Sequence, residues 1–182
     1  MKTQSPTTMI EGLRHIGRIV FFVTVQGLIL NRMDLWQGYI LPALYIYGIL
    51  MLPITTPRVV LLLAGFGTGM LMDMFTNTGG LHTSACLLLA FFQPLVLRVL
   101  SPREGYESGQ RQTVMDLGWG WFFAYAGSLT FVHHFWLFFM EQLRFTPFFS
   151  TVGKVLLSAL TTVVLMIISQ YLGYSGKDRR NT

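Results

Sequence analysis

The chain has 182 residues, 52% hydrophobic, 14% aromatic and only 12% charged, with a net charge of +5 and a mean hydropathy of +0.53. A water-soluble domain carries about 25% charged residues, so most faces of this chain are built for a solvent other than water. The basic excess does not signal nucleic acid, because the Lys and Arg residues punctuate the ends of apolar runs and form no stripe with interleaved aromatics.

A spanning helix needs about 20 mainly apolar residues. Six runs approach that length, which predicts an all-α polytopic membrane protein, a six-helix bundle forming one integral domain over 1–182. A polar N-terminal tail, 1–13, precedes the first span, Ile16–Leu30. That run ends in "LILNRMDLW" with no small-residue cleavage site and reads as a retained helix. The second span, Leu35–Leu52, is short, and Pro42 interrupts its first turns. Such a break is tolerated where neighbouring helices satisfy the freed backbone groups. Pro53 marks its end.

The third span runs from Pro57 to Phe75. Thr56 suits the N-cap, and Pro57 suits the first helical position, where its missing N–H costs nothing. "TNTGG" is a very short connection of turn formers, so the third span and the fourth, Leu81–Leu100, form a tight antiparallel hairpin. A mixed-charge loop, 101–116, leads to the fifth span, Leu117–Met140. The sixth, Val152–Leu172, is followed by a polar tail, 174–182. The single cysteine, Cys86, excludes an intrachain disulfide.

Lys and Arg bias sets orientation. With six spans and both termini in the cytoplasm, the inside group is Lys2, Arg14, Arg18, Arg58, Arg98, Arg103, Arg111, Lys177, Arg179 and Arg180. The outside group is Arg32, Arg144 and Lys154, a ratio of ten to three among the 13 basic residues. Trp119 and Trp121 near one end of the fifth span and Trp136 near the other are spaced like two interfacial belts, about 25 Å apart along the axis. Tyr171 and Tyr174 mark the cytoplasmic belt on the sixth.

The candidate site is the outer end of the third-to-fourth hairpin. Gly65, Gly69 and Asp73 lie four residues apart on nearly one helix face. The glycines allow another helix to approach closely, either a neighbour in the bundle or a partner's. Asp73 is fifteen steps from Arg58, about 22 Å along the axis, toward the outer boundary of the hydrocarbon. It sits near a helix C-terminus, where the dipole disfavours an anion, so something must compensate. Asn77, Gly80 and His82 are the neighbours expected to form a polar, outward-opening cluster with it, able to bind a partner protein or a lipid headgroup. His133 and His134 point about 100° apart on a helix and do not make a metal site; they are expected near the outer interface beside Trp136. No GxSxG, Walker A loop or second intramembrane carboxylate is present, so no catalytic residue, cofactor or metal is expected.

The stretch "LPITTPRVVLLLAGFGTGMLMDMFTNTGGLHTSACLLLAFFQP" closely resembles the MreD family, the polytopic membrane component of the bacterial rod-shape and elongation machinery. The shared pattern is a Pro-bounded helix start, spaced glycines, Asp, a short Asn/Thr/Gly turn, a Gly-x-His and an apolar helix ending in Pro. "VQGLILNRMDLW" followed by "LPALYIYGILMLP" also looks like the preceding part of that family, so the likeness covers about Val25 to Pro94. It departs from the pattern at Gly79, where Pro is expected, and at Gln93, where Arg is expected. The resemblance implies a non-catalytic inner-membrane scaffold of lateral peptidoglycan synthesis. Its partner would be the single-span MreC, within a complex holding RodA, its transpeptidase and the actin-like MreB. The family is similar in its six-helix fold to the substrate-binding components of energy-coupling-factor vitamin transporters. That similarity supplies the alternative function, a small-molecule transporter component, although the first span lacks an alanine pair for docking the energy-coupling partner.

Overall fold

The computed structural model describes residues 6–33, 35–142 and 148–178. Its elements are α1 (Pro6–Leu28), α2 (Tyr47–Leu50), α3 (Arg58–Thr76), α4 (Leu81–Val99), α5 (Val114–Leu117), α6 (Trp119–Gln142) and α7 (Phe148–Asp178), with 3₁₀ turns at Leu30–Arg32 and Leu44–Ile46. Among the described residues the fold is all helical, and five helices have the length and apolarity to cross a membrane. Their outward faces stay apolar, as Phe21, Leu63, Phe91 and Leu172 illustrate. That is the expected arrangement where lipid is the solvent. Lys2, Arg179, Arg180 and the loop containing Arg144 lie outside the described residues, as does the side chain of Tyr174.

Several boundaries differ from those expected. The first helix begins at Pro6, so residues 6–13 extend it rather than forming a tail. The last reaches Asp178. Pro57 is the N-cap of α3 rather than its first residue, and Thr56 makes no side-chain cap.

The main correction concerns Leu35–Leu52, which is not a long helix. Trp36, Gln37 and Gly38 adopt positive φ of 50°, 56° and 76° in a left-handed turn. Residues 40–43 are then irregular, and helical geometry starts only at the 3₁₀ turn. Pro42 brings no N–H to a helix, and side chains from four other helices capture the neighbouring backbone. Gln26 of α1 donates to Pro42 O and accepts from Leu44 N–H, both at 2.8 Å. Leu41 N–H donates to Ser158 Oγ and Ala43 N–H to Thr162 Oγ1 on α7, each at 3.0 Å. Tyr125 of α6 donates to Leu50 O at 2.9 Å, and Gln93 of α4 donates to the Tyr125 hydroxyl at 2.8 Å. Gln112 donates to Leu52 O at 2.6 Å, and the Arg18 guanidinium donates to Met51 O.

These bonds also fix where the segment runs. The Tyr39 hydroxyl meets Ser150 O at the start of α7, whereas Leu52 meets Gln112, close to where Val114 N–H meets Gln170. Ser150 and Gln170 are separated by about 30 Å of helix. Residues 39–52 therefore traverse the bundle from end to end, and residues 42–52 are all buried. They form the centre of the hydrophobic core with Met72, Leu89, Phe122, Leu129 and Met166.

Candidate functional site

The turn between α3 and α4 is built on two left-handed residues. Asn77 (φ 55°) ends α3 and Gly80 (φ 91°) begins α4. Asparagine and glycine are the residues that enter this region at low cost. The result folds α4 back along α3, and the spaced glycines set how closely. A Cβ on Gly69 would lie 2.4 Å from Thr83 Cα and 2.7 Å from His82 O. One on Gly65 would lie 2.9 Å from Cys86 O. The glycine face is thus occupied by the protein's own fourth helix.

The same approach accounts for Asp73. Its Oδ1 accepts from the Thr78 hydroxyl (2.6 Å) and His82 N–H (2.9 Å). Its Oδ2 accepts from Thr83 N–H (3.0 Å) and the Thr83 hydroxyl (2.6 Å). The carboxylate thereby caps the N-terminus of α4 from the preceding helix, where the dipole and the free N–H groups favour an anion. The unfavourable end of α3 is offset by the favourable end of α4. A carboxylate has about four lone-pair sites, and the hairpin fills them. Asp73 is therefore not a free ligand.

His82 joins Asp73 through its backbone, while its imidazole points elsewhere. Nδ1 lies 2.9 Å from the Tyr45 hydroxyl, and the same hydroxyl lies 2.8 Å from His133 Nε2. The rings of His133 and His134 turn into the bundle rather than to its surface. Both are fully buried, packed edge to face with ring centroids 5.3 Å apart. Trp136 lies at the same end of the bundle as the α3–α4 turn, where its Nε1–H donates to Ser84 Oγ at 3.0 Å near the start of α4.

What the hairpin offers to other molecules is a lateral groove of about 640 Å³. Phe66, Met70, Met74 and Leu87 form its apolar part, and Asp73, Asn77, Thr78, Thr83 and Ser84 its polar end. Of the six residues singled out in the sequence, Asp73, Asn77 and Gly80 line it. Gly65 and Gly69 face α4 within the hairpin, and the His82 ring points to Tyr45. A mostly apolar slot with a polar end suits an amphipathic guest, although Asp73, Thr78, Thr83 and Ser84 at that end already bond within the protein.

Sequence reasoning missed the interior polar set of Gln26, Tyr45, Gln93, Gln112, Ser158 and Thr162. The available signal was Gln26 within "FFVTVQGLIL" and the four-residue spacing of Ser158 and Thr162, which places them on one helix face. Among the described residues, no three His, Cys, Asp or Glu side chains converge as a metal site. Compared with protein-family models, curated proteins and solved structures, the chain matches none.

Proposed function

We propose that this protein is a membrane scaffold that acts by docking a partner, of the kind its Val25–Pro94 stretch resembles. It would be an MreD-like component of the bacterial elongation complex working with the single-span MreC on cell shape and lateral peptidoglycan synthesis. RodA, its transpeptidase and MreB complete the assembly in this reading. Residues 39–52 serve as an irregular sixth crossing. With it, both termini face the cytoplasm of the inner membrane and the ten-to-three basic bias points inward.

One observation carries the scaffold reading over the transporter alternative. The place where an enclosed small-molecule site would lie is filled by residues 42–52, and their backbone is tied down by α1, α4, α6 and α7, with Gln93 of α4 reaching Ile49 O. The groove opens sideways, toward lipid and neighbouring helices, between α3 and α4. A laterally open, mostly apolar slot with a polar end suits a partner helix or a lipid better than a vitamin. Packing and interhelical hydrogen bonds drive association of such surfaces in lipid.

Affinity purification from native membranes, with identification of what co-purifies, tests the proposal. Recovery of a single-span periplasmic protein and cell-wall synthases is the expected result, and Met70→Trp and Met74→Trp, which fill the groove, should reduce it without affecting insertion. Recovery of transporter ATPases and no cell-wall proteins would overturn it.

A further inference from the structure

The buried ring of His134 has an arrangement that a neutral histidine cannot satisfy. Its Nδ1 lies 2.9 Å from Thr130 O, and its Nε2 lies 3.2 Å from Leu41 O. Both partners are carbonyl oxygens, which only accept. A neutral imidazole carries one N–H, whereas the imidazolium carries two. The Thr162 hydroxyl, 3.5 Å from Nε2, does not relieve this, because it donates to Ser158 O at 2.7 Å and accepts from Ala43 N–H. In the neutral state, one nitrogen lone pair faces a carbonyl oxygen with no hydrogen between them.

We propose that His134 is an intramembrane proton-binding site and that its protonated ring latches the irregular segment at Leu41. Uptake adds one proton to the bare ring nitrogen and breaks no covalent bond. The imidazolium then donates to Thr130 O and Leu41 O together, joining α6 to residues 39–52. Loss of that proton leaves one hydrogen for two acceptors, and the contact across the segment, to Leu41, is the one released. The Thr130 contact lies within a single helical turn and is retained.

The surrounding ionisable groups are distributed on every side. His133 adjoins on α6, and the Tyr45 hydroxyl bridges it to His82 of α4. Cys86 of α4 and Asp73 of α3 lie around Tyr45. On α7, Lys154 sits over the Phe138 ring, 4.6 Å from its centroid, and that ring meets His134 edge to face. The α1 groups His15 and Arg18 are at the opposite end, beside Met51. The added charge is thus opposed by burial and by His82, and favoured by the Thr130 and Leu41 carbonyl oxygens. The hydrogen-bonded path His82–Tyr45–His133 leads from the half-buried outer end to the residue beside the site.

The test is a pH titration of the full chain in lipid bilayers, with ¹⁵N-labelled histidine and ¹³C-labelled leucine carbonyls read by solid-state NMR. Between about pH 4 and 9, the range that spans ordinary histidine chemistry, His134 should show two protonated ring nitrogens at the acid end. It should lose one on raising the pH, with the Leu41 carbonyl signal moving in the same step. His134→Phe supplies the assignment and should leave Leu41 at its high-pH position. The wild-type titration stands even if that variant does not fold. A single neutral tautomer throughout, or a Leu41 signal that stays fixed while His134 titrates, would overturn the proposal.

Discussion

The α3–α4 hairpin and the irregular segment 39–52 solve the same problem by opposite means. Both must hide backbone polar groups from lipid. The hairpin does so within itself, through two regular helices, a left-handed turn and one carboxylate that closes the start of α4. The irregular segment depends on side chains lent by α1, α4, α6 and α7. Local satisfaction makes a self-sufficient unit, whereas borrowed satisfaction makes the segment depend on the whole bundle.

The sharpest way to break the hairpin is Gly69→Ala. The added methyl meets the backbone of α4, Thr83 Cα at 2.4 Å, which cannot swing aside as a side chain would, so the helices must separate. A loss of about 3 kcal/mol or more is expected in detergent unfolding, at the upper end of overpacking costs. Gln26→Met attacks the other region. It strands Pro42 O and Leu44 N–H, both buried, at about 1–3 kcal/mol each. Hydrogen exchange should then accelerate over 40–52 while α3 and α4 keep their protection; uniform acceleration would show that the two regions are not separable. Asp73→Asn is milder. Whichever oxygen becomes an amide faces two donors, and the charge at the α4 N-terminus is lost, for about 2 kcal/mol. Insertion should persist, with faster exchange confined to residues 78–84. Gly67→Ala, on the same helix with nothing within 4 Å, should change stability by less than about 1 kcal/mol, and in the stabilising direction.

The hairpin was legible because its determinants are local. "TNTGG" between two apolar runs specifies a turn, and Gly65, Gly69 and Asp73 share a face by spacing alone. Even there, the sequence reading located the strain on Asp73 and named His82 beside it, but not Thr78 and Thr83, which share in its relief. The relief comes from His82 and Thr83 N–H groups that become neighbours only once the chain reverses. The second span was not legible. "LPALYIYGILMLP" has the apolarity of a spanning helix, and no local rule says that Gln26, Ser158 and Thr162 will take its hydrogen bonds. The histidines failed for a related reason. "FVHHFW" beside a tryptophan reads as an interface, whereas Tyr45 and Leu41 draw both rings into the core.

The borrowed hydrogen bonds also set an order of assembly. The partners of residues 39–52 lie as far as 44 residues ahead for Gln93 and 119 ahead for Thr162. When this segment leaves the ribosome, Arg18 and Gln26 exist but the others have not been made. Irregular backbone cannot rest in hydrocarbon while its polar groups are unmet. The segment therefore takes its final irregular form only after α4, α6 and α7 have been made, out of its order in the chain.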